Sequence, residues 1–151
     1  MTSPALYRLI YVSSATVELS LVQLNQLLQR ARTKNAALEI TGLLLYCDGS
    51  FLQLLEGPQG AVEQLYRSIR QDPRHTRCMV LEEGQAEQRL FPDWRMGFQL
   101  FTAAQIAELE GFSDFLAADS DLARQLAARP EQAAQLLLKF RALPGLVPSV
   151  E

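Results

Sequence analysis

Two apolar runs, Ile40 to Tyr46 and Phe51 to Leu55, are separated by only four residues, Cys47-Asp48-Gly49-Ser50. An Asp-Gly pair between strand-like runs specifies a tight hairpin, because glycine accepts the positive φ that a primed turn requires. The hairpin supplies two strands of a layered α/β arrangement.

The flanking segments supply the layers. Tyr7 to Ser13 reads as a strand, with Tyr7, Leu9, Tyr11 and Ser13 on one face and Arg8, Ile10 and Val12 on the other. Ser20 followed by Gln23 is a capping-box pattern opening a helix with Leu21, Leu24, Leu27, Leu28 and Ala31 at helical spacing, running out near Lys34 and Asn35. Gly57-Pro58 starts a second helix with Val62, Leu65, Tyr66 and Ile69 inward, and Asp72-Pro73 ends it. Cys78 to Leu81 reads as a fourth strand and Trp94 to Leu100 as a fifth, with Trp94, Met96 and Phe98 on one face. The order βαββαββ predicts an α+β, ferredoxin-like sandwich: a mixed five-stranded sheet with two helices on one face, over residues 1–100.

From residue 101 to 151 the composition shifts to Ala, Leu, Gln and Glu, a C-terminal helical extension. Thr102 to Leu109, Asp121 to Ala128 and Pro130 to Leu143 read as short helices, the last stopped by Pro144-Gly145. Ala133, Leu136, Leu137, Phe140 and Leu143 form an apolar stripe. Helices on one sheet face leave the other bare, so the tail or a second subunit is expected to cover it, and a homo-oligomer is expected.

The chain has 151 residues, a net charge of −3 and no basic run, which speaks against generic binding to nucleic acid or an anionic membrane. No secretory signal or transmembrane segment is visible, and a cytoplasmic location is expected. Cys47 and Cys78 stand in separate strands without a partner at metal-ligand spacing, so no metal site is expected. With a single histidine, His75, and no phosphate-binding glycine loop, no enzyme is indicated.

Polar residues sit where apolar ones would be less costly. Tyr11 lies in the first strand, Asn35 at the end of the first helix, and Gln53 inside an apolar strand. A buried amide costs about 1–3 kcal/mol unless hydrogen-bonded, so each needs a partner.

These residues also carry a resemblance. Tyr7-Arg8-Leu9-Ile10-Tyr11-Val12-Ser13 resembles the first strand of BLUF domains, and Ile40-Thr41-Gly42-Leu43-Leu44-Leu45-Tyr46 with Phe51-Leu52-Gln53-Leu54-Leu55-Glu56-Gly57 resembles their second and third. Asp72-Pro73-Arg74-His75 resembles the segment after their second helix, and Phe91-Pro92-Asp93-Trp94-Arg95-Met96 their last strand. The resemblance implies a blue-light photoreceptor that binds FAD or FMN non-covalently between its two helices. By it, Tyr11 is the electron and proton donor, Gln53 the amide whose hydrogen bonds rearrange, and Asn35 the holder of the pyrimidine edge. Met96 and Trp94 are implied to pass the change on, through the tail, to a downstream protein partner.

An amide offers both a donor and an acceptor, which suits Asn35 and Gln53 to a flavin edge that presents the same pair. Leu27, Leu28 and Ile69 are expected to sandwich the ring, and Arg74 and His75 to meet the phosphate end by charge. Lys34 and Ser68 depart from the family pattern: Lys34 donates but cannot accept, and Ser68 is short. They motivate the alternative, a flavin-free ferredoxin-like protein-interaction module.

Overall fold

The computed structural model describes residues 6–17, 19–92, 96–100, 102–107, 109 and 121–141. The order is β1 (Leu6–Ala15), α1 (Leu21–Leu38), β2 (Thr41–Cys47), β3 (Ser50–Pro58), α2 (Gln59–Gln71), β4 (His75–Gln85), β5 (Gly97–Leu100), α3 (Ala103–Ala107), α4 (Leu122–Ala128) and α5 (Gln132–Arg141). One sheet runs β4-β1-β3-β2-β5. Its first four strands pair antiparallel, while β5 lies parallel to β2.

The hairpin forms where its turn chemistry directs. Cys47 pairs with Ser50, and Asp48 and Gly49 both take positive φ, 46° and 87°. That pair of signs is the primed turn whose twist matches the strands. Gly42 in β2 is needed for a different reason: a Cβ there would stand 1.8 Å from the Leu54 carbonyl oxygen across the ladder. Helix α1 opens on the capping box, with Gln23 N–H donating to Ser20 Oγ and Ser20 N–H donating to Gln23 Oε1. It runs on past Asn35 to Leu38 and closes on Glu39 in the left-handed region, because Ala36, Ala37 and Leu38 continue the helix without a breaker.

The sheet separates two apolar layers. On one side Tyr7, Leu9, Tyr11, Leu44, Phe51 and Leu55 meet Leu24 and Leu28 of α1 and Val62 and Tyr66 of α2. On the other, Ile10, Val12, Leu43, Leu45, Leu52 and Leu54 meet Ile106, Leu122, Leu126, Ala133, Leu136 and Leu137. Fully burying each such leucine contributes about 1.5–3 kcal/mol. Among the described residues, the face expected to await the tail or a second subunit carries the chain's own tail.

Several boundaries differ from the sequence reading. Strand β4 spans eleven residues, not Cys78 to Leu81. It is an edge strand carrying Glu82, Glu83 and Gln85, so pairing with β1 and not apolar alternation defines it. Two register shifts interrupt that pairing, and Arg77 nearby takes a φ of 55°. Strand β5 is described only from Gly97; of the expected Trp94–Leu100, residues 94 and 95 lie outside the described residues, as do Pro144-Gly145 and Leu143. Helix α3 is shorter than Thr102–Leu109, and α5 runs from Gln132 to Arg141, not from Pro130. Among the described residues no helix is long and apolar enough to cross a membrane.

Candidate functional site

At the centre of the sheet, β1 and β3 place Tyr11 and Gln53 directly opposite each other. The Tyr11 hydroxyl donates to Gln53 Oε1 at 2.5 Å, and Tyr11 is fully buried. The Gln53 amide then donates through Nε2 to the sulfur of Met96 at 3.2 Å. Met96 is itself fully buried and stands just ahead of β5. The two amide ends of Gln53 thus face different partners, a phenol from β1 and a thioether from the residue just ahead of β5. Rotating the amide would exchange a strong acceptor for a donor at Tyr11. Burial holds the Tyr11 phenol well above its ordinary pKa of 10.0, so it stays a proton donor at any physiological pH.

Tyr11 and Gln53 form the floor of a cleft of about 240 Å³ between α1 and α2. Leu27, Ala31, Lys34 and Asn35 line the α1 wall, with Leu65, Ser68 and Ile69 on the α2 wall. Asp72, Arg74 and His75 close one end. Ligand pockets commonly measure about 300–1,000 Å³, so this cleft suits a planar ring system and leaves the rest of a larger ligand toward the mouth. Apolar walls facing each other across a floor of amide and phenol fit the edge and faces of a flavin ring. Asn35, 1 % exposed, presents a second amide at the foot of the α1 wall.

Most sequence-predicted residues therefore gather at this cleft, with distinctions. Leu28 does not line it; its side chain turns into the core beside Leu24. Leu27 and Ile69 do line it. Arg74 is engaged by Asp72, through two guanidinium nitrogens at 2.5–3.1 Å. That hydrogen bonding holds the Asp72 carboxyl down at about 2. His75 shares a hydrogen bond of 2.8 Å with Ser13 Oγ, and burial lowers its pKa from 6.5. That shift disfavours the charged imidazolium, while His75 stays in the cleft lining. Lys34 is exposed at the rim, and the Ser68 hydroxyl donates back to the Gln64 carbonyl. Trp94 lies outside the described residues.

Two residues near the site escaped the sequence reading. Arg32 of α1 donates from Nε to the Met96 carbonyl oxygen at 3.2 Å. Glu56 is fully buried on the opposite sheet face, accepting from Leu90 N–H at 2.9 Å, Phe91 N–H at 2.6 Å and Arg8 Nε at 3.4 Å. Arg89 ties the same turn to the sheet, donating to Thr41 Oγ1 and to the Glu56 and Glu39 carbonyls. Glu56 was visible by the logic that singled out Gln53, as a polar residue closing an apolar strand. Arg32 was not, because its partner is a backbone carbonyl 64 residues away.

Residues 89 long at 43% identity match photoactivated adenylate cyclase subunit beta of Euglena longa, covering 58% of this chain and 10% of that protein. The blue light- and temperature-regulated antirepressor BluF of Escherichia coli (strain K12) is 36% identical over 93 residues, 62% of this chain and 23% of that protein. The chain thus spans about a tenth of the length of the cyclase relative and about a quarter of the antirepressor. Among solved structures, BlrB, a BLUF protein in its dark state, superposes with a TM-score of 0.65 at 29% identity, over 87% of this chain and 98% of that one. BlsA in its photo-activated state gives a TM-score of 0.77 at 26% identity, over 95% and 99%. The model of the BLUF family, sensors of blue-light using FAD, matches residues 6–97, and the chain belongs to that family.

Proposed function

We propose that the chain is a blue-light sensor and not an enzyme, in which Tyr11 and Gln53 convert light absorption into a rearranged hydrogen-bond network. The single observation that carries this is the buried relay from Tyr11 through Gln53 to Met96, forming the floor of an apolar cleft. When bound, a flavin would supply the blue-light absorption and the one-electron oxidising power of its excited state. Tyr11 lies at the cleft floor to supply the electron, and its hydroxyl already points its proton at Gln53 Oε1. Loss of an electron turns a phenol from a weak acid into a strong one, so the proton would pass along the existing bond to Gln53 Oε1 and return to the Tyr11 oxygen when the electron comes back. Gln53 then turns or changes tautomer, and its bond to the Met96 sulfur is the one given up. FAD is the flavin favoured by the family's description, with FMN the alternative.

The sheet order supports reading the domain as a ferredoxin-like sandwich over residues 1–100, with 101–151 as a separate helical extension. The extension packs on the sheet face opposite the cleft, under Leu52 and Leu54, which flank Gln53 in β3. A change at Gln53 therefore needs to cross only one sheet to reach it. We take the output to be a downstream protein partner that reads this extension in a cytoplasmic setting. Tyr11→Phe tests the photochemical step: the variant retains flavin and loses the light-induced shift of its absorbance to longer wavelength. A normal shift in that variant overturns the role given to Tyr11.

A further inference from the structure

Strand β5 is the most lightly held strand of the sheet. It has four residues, it is an edge, and its first registered pair is Gly97 with Leu43. The Met96 carbonyl stands ahead of those pairs, and a side chain holds it: Arg32 Nε, at 3.2 Å. Arg32 is three residues before Asn35 on α1, and its neighbours Ala31 and Lys34 line the cleft wall. Six residues upstream of Met96, Leu90 N–H is fixed by the Glu56 carboxylate, as is the next N–H, that of Phe91. Leu90 and Phe91 are thus tied to the sheet, and Met96 to the helix that forms the cleft wall.

We propose that Arg32 is a positioning residue: by holding the Met96 carbonyl against α1, it keeps the Met96 sulfur within reach of Gln53 and governs how readily β5 shifts when Gln53 changes partners. The inference rests on the photochemical reading above. An arginine bond to a carbonyl is charge-assisted, and so stronger than the ladder bonds it supplements. A four-residue edge strand pairs with one neighbour only, so a charge-assisted contact at its entry adds appreciably to what holds it. The same side chain joins the wall against which a ligand packs to the backbone that carries Met96.

The test uses Arg32→Ala and Arg32→Lys in the full chain, with flavin absorbance confirming that each folds and loads. In the dark, hydrogen exchange of the peptide over residues 96–100 is expected to rise about fivefold in Arg32→Ala, the size of losing one charge-assisted hydrogen bond. Exchange in β2 and β3 should stay unchanged. After illumination the absorbance shift is expected to persist, while the dark-recovery rate constant changes by about fivefold or more. Arg32→Lys, which restores a cationic donor, should return both readouts toward the parent values. Exchange and recovery both unchanged in Arg32→Ala would overturn the proposal, as would an equal effect of the lysine variant. If the parent shows no light response, the photochemical reading fails instead, and the dark exchange comparison still decides whether Arg32 holds β5.

Discussion

Replacing Glu56 by Gln changes one atom of a fully buried carboxylate and should cost far more than its size suggests. The two carboxylate oxygens accept separate backbone donors, Leu90 N–H on Oε1 and Phe91 N–H on Oε2, and Oε1 also receives Arg8 Nε. An amide can accept from only one of those backbone groups; its NH2 then confronts the other donor. Phe91 is fully buried, so its N–H has no water to turn to. Leaving a buried donor unsatisfied costs about 1–3 kcal/mol, and a hydrogen bond to a charged group is worth about 1.5–3 kcal/mol. The Arg8 contact adds little, since at 3.4 Å it is long and the arginine is partly exposed. A total of about 2–4 kcal/mol, at about 2–4 °C per kcal/mol for a domain of this size, lowers Tm by about 4–16 °C. Thermal unfolding followed by far-ultraviolet circular dichroism on the full chain measures it. A drop of less than about 2 °C would refute the claim that this carboxylate anchors Leu90 and Phe91 to the sheet.

Other consequences are open to test. Gly42→Ala should destabilise severely or prevent soluble expression, since its Cβ would meet the Leu54 carbonyl oxygen at 1.8 Å, a backbone atom that cannot swing aside; a variant with parental Tm would contradict the close strand approach. His75, its pKa lowered mainly by burial, resists protonation when folded, so the unfolded chain binds the proton first. Stability is therefore full above the ordinary value of 6.5 and declines as pH falls through it toward the folded value. Tm should drop between about pH 7.5 and about pH 5.5, and drop less in His75→Gln; equal drops would remove His75 as the cause. Cys47, whose thiol burial pushes up to about 12, should resist alkylation at neutral pH in the native protein, while rapid native labelling would contradict its burial.

The parts of this fold that were legible in the sequence are those where one local signal decides. Asp48-Gly49 determines the hairpin, Ser20 with Gln23 determines the start of α1, and Gln53 is visible because it interrupts an apolar strand. The full length of β4 was hidden: an edge strand with Glu82 and Glu83 has no face-to-face alternation, and its pairing with β1 is a tertiary fact. Leu28 and Leu27 are adjacent on α1, and periodicity alone does not say which meets the cleft and which the core. The tail's stripe at Ala133, Leu136 and Leu137 announced that it would be buried, but the face it covers comes from the packing of the whole chain. The contacts of Arg32 and Glu56 with backbone atoms were not readable, because backbone groups leave no mark in the sequence.

The most direct test of the central claim is the absorbance spectrum of the freshly purified full chain, taken in the dark, after blue light, and again after return to darkness. The relay from Tyr11 through Gln53 predicts a flavin band that moves to longer wavelength on illumination and returns in the dark. A flavin band that stays in place under blue light, or a protein that carries and takes up no flavin, would contradict it.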